Sequence, residues 1–316
     1  MVRGTKRGEA EPSVVVIGAA SVDIKGKALG PLVPATSNPG EIKWSIGGVG
    51  RNVAENLGRL GVPTILLTAV GDDAFGQQIL ERTAAGDVDT SHVLLSGEQR
   101  TGTYVAVLNP AGGMTVSIDD MRITELLTPD YVRAHAGLLR AARLIVLDGN
   151  LAVRTLGAVL TIAKRAGVPV CADPVSLRLA PRLKPRLCDY TILTPNAQEA
   201  EILTEMPVRS TAEAARAAQR LIACGVKIAI ITLAEEGLFY ASSQGSGHIP
   251  ASRCEVVDAT GAGDALTAGV VFGLVNNLPL DECMRLGVSA ATIALSSPET
   301  VCPEMSQELL FQHMAI

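Results

Sequence analysis

The chain has few aromatic residues and no clustered cysteines. Only 3% of its 316 residues are Phe, Trp or Tyr, so we expect no surface on which single-stranded bases stack. The six cysteines form no CxxC pair and no cluster with histidine, which argues against a zinc site. Most lie in apolar runs, as expected for thiols that pack in a core within a reducing compartment.

Long apolar runs and an excess of positive charge are also absent. The apolar stretch 14–20 is too short for a signal peptide and leads into Asp23, and no run is long enough to span a membrane. The net charge of −5 disfavours nucleic acid or an anionic membrane as a partner. We therefore expect a cytoplasmic protein that binds small molecules. Residues 1–12 are predicted to be a flexible tail before one domain over 13–316.

Hydrophobic residues make up 47% of the chain, and short β-branched runs alternate with amphipathic segments. The apolar runs are nearly continuous, as in a parallel sheet that is covered on both faces. The pattern predicts an α/β fold. The predicted strands are 14–18, 64–70, 144–148, 168–173, 190–194 and 227–232, and the predicted helices are 52–60, 76–85, 153–165, 212–224 and 265–275.

Polar or small residues follow most of these strands. They lie at 20–23, 148–150, 173–174 and 194–196. In open α/β sheets, ligands bind at the carboxyl ends of the strands. These four strand ends are therefore candidate walls of a binding site.

One region interrupts the alternation of strands and helices. Segments 103–109 and 114–118 are strand-like and are joined by Pro-Ala-Gly-Gly, which predicts a hairpin. Segments 24–27 and 42–46 are able to add strands to it. We predict a small β-flap over 24–46 and 101–120, which is either a lid or a dimer surface. An edge hairpin without a function fits the pattern equally well.

The segment 258–264, Asp-Ala-Thr-Gly-Ala-Gly-Asp, directly precedes the apolar helix at 265–275. Small residues before a helix start allow backbone N–H groups to face a bound anion. A carboxylate at Asp264 beside that anion is suited to take a proton from a hydroxyl that attacks phosphorus. A glycine-rich helix cap with a solvated aspartate is the alternative.

A second glycine-rich segment, 47–54, reads Gly-Gly-Val-Gly-Arg-Asn-Val-Ala and precedes a helix that closes at Gly61. Its glycines allow a ligand to approach the backbone, and Asn52 is placed to hold hydroxyls. Neither glycine-rich segment matches the dinucleotide-binding pattern GxGxxG. Val53 in one segment and Leu266 in the other occupy the position of the third glycine. No GxxxxGK[ST] loop occurs either.

Three motifs in this order resemble the ribokinase-like (PfkB) family of sugar and nucleoside kinases, over about residues 13–300. They are Gly-Gly-x-Gly-x-Asn-x-Ala, Asp-x-Thr-Gly-Ala-Gly-Asp and the intermediate Thr-Pro-Asn-Ala-Gln-Glu at 194–199, where Thr194 replaces the first Asn of the family's Asn-Pro-Asn-x-x-Glu. Segments 37–43 and 117–121 look most like the pseudouridine kinase branch. Segment 49–52 departs from ribokinase itself, which has a Lys after the glycine pair.

The resemblance implies a three-layer αβα sandwich with a mainly parallel central sheet and a small β-sheet lid. It also implies ATP-dependent phosphorylation of the 5′-hydroxyl of pseudouridine, with Mg²⁺, in nucleoside catabolism. By the same resemblance, Asp23, Gly48 and Asn52 hold the ribose and Asp264 is the general base. The anion hole that stabilises the transferred phosphoryl group is formed by Gly261, Ala262 and Gly263.

The resemblance also places residues around the nucleotide. Asn196 and Glu199 hold Mg²⁺, mostly through water, and Thr232 and Gly237 lie along ATP together with Gly261 and Gly263. Ala234 replaces a glycine that is frequent in the family's Thr-x-Gly-x-x-Gly, which puts phosphate approach at that point in doubt. On the residues alone, Asn196 and Glu199 are also a common helix-capping pair.

The remaining predictions concern a second ion, the base and a partner. Asp258 and Thr260 match positions that give oxygens to a monovalent cation in many relatives, so K⁺ activation is a hypothesis. Candidate nucleobase contacts are Asn38, Lys43, Thr103 and Ser117, which are equally compatible with a solvated flap. We expect a homodimer through the β-flap.

Two other functions compete with this interpretation. One is a kinase for another ribosyl compound, such as ribose, uridine or adenosine, because the base pocket is not defined by the sequence. The other is a non-catalytic nucleoside-binding relative. The presence of Asp264, the small-residue anion hole and Glu199 together argues against the second.

Overall fold

The computed structural model describes residues 14–314, so the predicted tail at 1–12 lies outside the described residues. A nine-stranded sheet in the order β15-β14-β13-β12-β11-β10-β1-β4-β6 forms the centre. Its pairs are parallel from β6 to β13, and β14 and β15 continue the edge as an antiparallel hairpin. The strands are β1 Val14–Ile17, β4 Thr64–Leu67, β6 Val88–Asp89, β10 Leu144–Asp148, β11 Val170–Asp173, β12 Ile192–Leu193, β13 Ile228–Thr232, β14 Leu238–Ser242 and β15 Gly245–Ile249.

Helices cover both faces of this sheet. They are α1 Val49–Arg59, α2 Ala74–Ala85, α3 Pro129–Ala134, α4 Ala136–Ala141, α5 Val153–Ala166, α6 Ala197–Thr204, α7 Thr211–Ala223, α8 Ala262–Val275, α9 Leu280–Leu295 and α10 Gln307–Gln312. Short 3-10 helices lie at Arg122–Leu126 and Ala234–Glu236, and Ala180–Asp189 forms 3-10 turns that are interrupted by a kink at Arg186.

Alternate residues of β1 belong to two different cores. Val14 and Val16 pack with side chains of α1, α8 and α9, whereas Val15 and Ile17 pack with side chains of α5 and α7. The period of two in a strand sends successive side chains to opposite faces, so one continuous apolar run serves both cores. The predicted three-layer αβα arrangement is therefore confirmed.

One predicted strand is divided between two sheets. The run predicted at 64–70 forms β4 in the central sheet and β5 Ala69–Gly71, which pairs with β7 Leu94–Ser96 in a two-stranded sheet. The chain changes partner at Thr68, whose carbonyl accepts a hydrogen bond from Leu94 N at 2.8 Å. Local apolar pattern does not encode such a change of partner, so the sequence indicated one strand.

A separate four-stranded sheet, which we call the lid sheet, has the order β3-β2-β8-β9. Its strands are β2 Ser21–Ala28, β3 Gly40–Gly47, β8 Gly102–Leu108 and β9 Met114–Asp120. They include all four predicted flap strands, so the small second sheet is confirmed. β2 and β8 pair in parallel, and the outer pairs are antiparallel.

The register of the lid sheet separates a polar face from an apolar face. Asp23 pairs with Ser45 and Tyr104, while Val22 pairs with Ile46. Paired residues of neighbouring strands share a face. Val22 and Ile46 are buried against Val70 and Ile79, so the apolar face covers β5 and α2 at one end of the lid sheet.

The described part of the chain has no helix that is both long and apolar enough to cross a membrane. Three of the six cysteines are buried, namely Cys171, Cys283 and Cys302, so the expectation that most pack in the core holds for half of them.

Candidate active site

The start of α8 is an open, glycine-rich turn. Gly261 has φ of 83°, and a Cβ there would lie 2.1 Å from the carbonyl oxygen of Thr300, so glycine is required by the fold. A Cβ on Gly263 would meet nothing within 4 Å. The backbone at Gly263 therefore faces open space at a helix N-terminus, which is where an anion is stabilised.

Asp264 lies in the first turn of α8 and is 8% exposed. Its Oδ2 accepts a hydrogen bond from Asn52 Nδ2 at 2.8 Å. Burial raises the pKa of Asp264 to about 7, the charges of Asp148 and Asp23 act in the same direction, and Asn52 and Arg51 oppose them. A carboxyl group that titrates near neutral pH is suited to accept a proton in a reaction.

A buried arginine sets the orientation of Asn52. Arg51 Nη1 donates to Asn52 Oδ1 at 3.0 Å, which leaves the Asn52 amide NH₂ directed at Asp264. Arg51 is 2% exposed and is paired with Glu55 one helical turn later. Burial lowers the pKa of Arg51 to about 9, although the charges of Asp23 and Asp264 act to raise it. Arg51 is part of the glycine-rich motif, but the motif alone does not indicate this role.

The glycines at 47–50 allow the start of α1 to lie against the end of β1. A Cβ on Gly47 would lie 2.3 Å from Asp23 Oδ2, and one on Gly50 would lie 2.7 Å from Gly18 Cα. Gly48 has φ of 92°, and its Cβ would lie 2.5 Å from Ala19 O. This close approach brings Asn52 and the Asp23 carboxylate to the same site as Asp264. Burial raises the pKa of Asp23, against the effect of Ser21, Lys25 and Arg51.

Two of the predicted strand ends carry buried carboxyl groups. Asp148 accepts backbone hydrogen bonds from Ala19 at 2.7 Å and from Gly50 and Asn150 at 2.9 Å, so it ties together the ends of β1, α1 and β10. Asp173 accepts from Val175 N at 2.7 Å. Burial raises the pKa of Asp173 well above its usual range, as do the charges of Glu199 and Asp264. These strand ends were predicted as walls of the site, without individual roles.

Asn196 and Glu199 form a capping box at the start of α6. Glu199 N donates to Asn196 Oδ1, and Asn196 N donates to Glu199 Oε2, each at 2.9 Å. The capping alternative is therefore present, and it uses one oxygen of each side chain. Glu199 is 4% exposed, and burial raises its pKa.

Within residues 14–314, no group of three or more His, Cys, Asp or Glu side chains is placed to hold a metal directly. Mg²⁺ commonly keeps several waters and uses one or two carboxylates, so a water-mediated ion beside Glu199 fits the donors that are present.

A cavity of about 1090 Å³ opens beside Gly263. Its volume slightly exceeds the range of about 300–1,000 Å³ that is typical of ligand and cofactor sites. Two further walls, which the sequence motifs do not indicate, come from α8 and α9, whose apolar side chains include Leu266, Val288 and Leu295. Those helices carry no nucleotide motif beyond the start of α8. Five of the predicted site residues line the cavity, namely Asn196, Thr232, Gly237, Ala262 and Gly263.

The turn that precedes Gly237 accommodates the departure from the family's glycine pattern. Ala234 has φ of 50°, in the left-handed region, and it lies in the short 3-10 helix that leads to Gly237 with φ of 87°. The backbone at Ala234 therefore has the conformation that glycine favours, with a methyl group added, and Ala234 still lines the cavity.

The four predicted nucleobase contacts are not brought together. Lys43 pairs with Lys25 and Ser117 pairs with Ala106, which places both on the face of Asp23. Thr103 pairs with Val22 and is on the opposite face. The Asn38 amide is bonded to Val33 N and O and to Thr36 O within its own loop.

The predicted monovalent-cation residues bind a side-chain cation instead. Lys25 Nζ, from β2, lies 2.8 Å from Asp258 Oδ2 and 2.5 Å from Thr260 Oγ1. The oxygens of these two side chains already have an ammonium group as partner, so the K⁺ hypothesis does not fit this arrangement.

The chain is similar in sequence to known nucleoside kinases and in fold to a solved ribokinase. The pseudouridine kinase of Escherichia coli is 35% identical over 294 residues, covering 93% of this chain and 93% of that protein. The guanosine-inosine kinase of Exiguobacterium acetylicum is 29% identical over 94% of this chain and 99% of that protein. The Arabidopsis thaliana ribokinase complexed with ribose and ATP has the same fold, with a TM-score of 0.87 at 24% identity over 96% of this chain and 99% of that one.

The model of the pfkB family of carbohydrate kinases matches residues 11–306, which is nearly the whole chain. The match includes both glycine-rich segments, the capping box and the lid sheet. The chain therefore belongs to the pfkB carbohydrate kinase family, whose members are ATP-dependent phosphotransferases that act on a hydroxyl group.

Proposed function

We propose that the chain transfers the γ-phosphoryl group of ATP to the 5′-hydroxyl of pseudouridine, giving pseudouridine 5′-phosphate for nucleoside breakdown. The observation that carries this proposal is the position of Asp264. This buried carboxyl group is held by Asn52, follows directly after the open backbone at Gly263, and shares its electrostatic environment with Asp23. The base is thus between a nucleotide-sized cavity and a polar lid face.

The polar lid face supplies the groups for a nucleoside. The Asp23 carboxylate is suited to accept hydrogen bonds from two vicinal ribose hydroxyls. Asn52 adds an amide whose carbonyl is bonded to Arg51, and Gly48, which has no side chain, allows the start of α1 to pack against Ala19 beside the site. Lys43 and Ser117 on the same face are the remaining candidates for contact with the base.

Asp264 accepts the proton of the 5′-hydroxyl as that oxygen attacks. The backbone N–H groups of Gly261, Ala262 and Gly263 stabilise the charge that develops on the transferred group. Thr232, Gly237 and the apolar wall from α9 hold the nucleotide. Glu199 and Asn196 would hold Mg²⁺ through water, and the ion would supply charge neutralisation and orientation of the phosphates.

The lid excludes water when it covers a bound nucleoside, since an open site would allow ATP hydrolysis. The base preference rests on the 35% identity to a pseudouridine kinase. Phosphorylation of a purine nucleoside is the second candidate function, because the guanosine-inosine kinase is similar to this chain over nearly the whole length of both proteins.

The decisive experiment measures ADP release with Mg·ATP and a panel of pseudouridine, uridine, adenosine, guanosine, inosine and ribose. We expect strong preference for pseudouridine and a product phosphorylated at the 5′ position, identified by ³¹P NMR. Preference for another member of the panel would overturn the substrate assignment and leave the mechanism intact. ATP binding without turnover of any member would overturn the assignment of Asp264 as a base.

We also propose that two copies associate through the apolar face of the lid sheet. Ile42 is 76% exposed and Ile118 is 72% exposed, and Trp44, Val105 and Val116 are exposed on the same face. A contiguous exposed apolar face of this kind marks an interaction surface. Sedimentation should show a dimer that Ile118→Lys dissociates, whereas Val153→Lys, an exposed apolar position on α5, should leave it dimeric. A monomeric wild-type protein would contradict the proposal.

A further inference from the structure

One lysine joins the lid sheet to the glycine-rich segment 258–263 before α8, which we call the phosphate-binding loop. Lys25 Nζ lies 2.8 Å and 3.2 Å from the two carboxylate oxygens of Asp258 and 2.5 Å from Thr260 Oγ1. These partners are 233 and 235 positions away in sequence. A single ammonium group therefore bonds the lid strand β2 to the two polar side chains that precede Gly261.

The three residues form a compact ionic unit. Asp258 Oδ1 also accepts the backbone N–H of Thr260 at 2.8 Å, so the carboxylate shapes the turn that enters the loop. Burial acts to raise the pKa of Asp258, but the hydrogen bonds from Lys25 and Thr260 outweigh it, and the net direction is down. Asp258 is therefore ionised at neutral pH, and the ammonium group of Lys25 lies beside its charge.

That charge matters because of what the loop must bind. The loop's N–H groups face the place of a polyanionic phosphate chain, and an uncompensated carboxylate a few residues earlier repels it. A bound monovalent cation with carboxylate and hydroxyl oxygens as ligands would compensate the charge. Here the ammonium of Lys25 has those same oxygens as partners and carries the same charge.

We propose that Lys25 is a built-in cation for the phosphate-binding loop, which makes phosphoryl transfer independent of K⁺ and couples the loop to the lid. Lys25 is a positioning residue, since it acts through Asp258 and Thr260. The proposal rests on the kinase reaction proposed above.

The coupling follows from the position of Lys25 in the lid sheet. Lys25 is two residues after Asp23 on the same strand, so both side chains are on the polar face. A nucleoside that is bound to Asp23 fixes the strand that carries the ammonium group. The loop is then completed only when the lid is in place, which links nucleoside binding to the geometry of phosphoryl transfer.

The first test compares activity in KCl and in tetramethylammonium chloride, each at ~0.1 M so that screening is equal. The assay uses the nucleoside of the panel that reacts fastest. Wild-type kcat should differ less than twofold between the salts. Lys25→Met should lose about tenfold or more in kcat in tetramethylammonium chloride. K⁺ or methylammonium should restore most of that loss, because either ion fits the oxygens that the lysine leaves.

Two variants control for damage to the lid sheet. Lys27→Met removes a lysine from the same strand and face, and it should show wild-type kcat in both salts. Lys25→Arg keeps the charge and should retain more activity than Lys25→Met in tetramethylammonium chloride. A wild-type enzyme strongly activated by K⁺, or a folded Lys25→Met variant that no cation rescues, overturns the proposal.

A second measurement does not depend on turnover. In thermal unfolding, Lys25→Met should gain a stabilisation by K⁺ relative to tetramethylammonium, and the wild type should not. If no nucleoside reacts, this difference in thermal stability still tests whether Lys25 occupies a cation site. A K⁺-specific shift in the wild type, or none in Lys25→Met, contradicts it.

Discussion

The central sheet and the lid sheet are built from similar strands but differ in solvent exposure. Every residue of β1 is at most 1% exposed, because helices cover both faces of the central sheet. The lid sheet packs only one end of its apolar face, and Ile42 and Ile118 remain more than 70% exposed. The central sheet and the helices packed on it thus hold their site residues by buried packing, while the lid sheet holds its own by a few polar contacts.

This difference separates two kinds of functional residue. Groups on the central scaffold, such as Asp264 and Asn52, have fixed partners and are expected to set the rate of the chemical step. Groups on the lid, such as Lys43 and Ser117, are expected to act on nucleoside affinity and discrimination. Substitutions in the two regions should therefore affect kcat and KM differently.

The largest effect is expected for Asp264→Asn. Removal of the base should lower kcat by about 10³-fold or more, with nucleoside binding retained in calorimetric titrations. Loss of nucleoside binding together with turnover would assign Asp264 to substrate binding. It would contradict the distinction between scaffold residues that set kcat and lid residues that set KM. Asp130→Asn, an exposed position in the first turn of α3, is the control and should keep wild-type kcat.

The same variant has an expected effect on stability. The folded protein binds the Asp264 proton more tightly than the unfolded chain, since the pKa of Asp264 rises from 3.8 to about 7 on folding. The free energy of unfolding therefore loses a contribution as pH rises through that window. Asp264→Asn should have a higher Tm than the wild type at pH 8 and little gain at low pH, as measured by calorimetry.

The next effect concerns two glycines of one loop. Gly263→Val places a side chain into open space and should weaken ATP use by about 10- to 100-fold in kcat/KM with an unchanged Tm. Gly261→Ala would bring a methyl group 2.1 Å from Thr300 O at φ of 83°, so it should lower the Tm. Equal changes in Tm for both variants would show that the space beside Gly263 is not reserved for a ligand.

A smaller effect is expected for Asn52→Ala. The hydrogen bond from Asn52 lowers the pKa of Asp264, so its removal should move the rising limb of the pH dependence of kcat/KM to higher pH. Activity at pH 7 should fall by about tenfold and partly recover at pH 9. A uniform loss at all pH values would mean that Asn52 acts on the ribose alone.

The smallest effects should come from the lid. Lys43→Met and Ser117→Val should raise the nucleoside KM by about 3- to 10-fold with little change in kcat. Thr103→Val is the matched control, because register places Thr103 on the other face of the lid sheet. If Thr103→Val raised KM as strongly as Ser117→Val, the assignment of the polar face would be wrong.

Local pattern was sufficient for most of the architecture. The helix predicted at 153–165 is α5, and the strand predicted at 144–148 is β10, because periodicity and flanking polar residues are properties of near neighbours. The sequence pattern did not predict the antiparallel hairpin of β14 and β15 at the edge of the parallel sheet. The sequence also indicated α8 but not its long partner α9, whose apolar residues line the cavity.

The sequence by itself determined the αβα class, the small second sheet and the two glycine-rich loops, since strand period and glycine content act over a few residues. Only the tertiary structure decided that Arg51 orients Asn52, that Thr103 faces away from Asp23, and that Lys25 takes the oxygens of Asp258 and Thr260. The face on which Thr103 lies depends on strand register, and the orientation of Asn52 depends on how the start of α1 packs. The Lys25 contacts join segments more than 200 residues apart, so local sequence does not encode them.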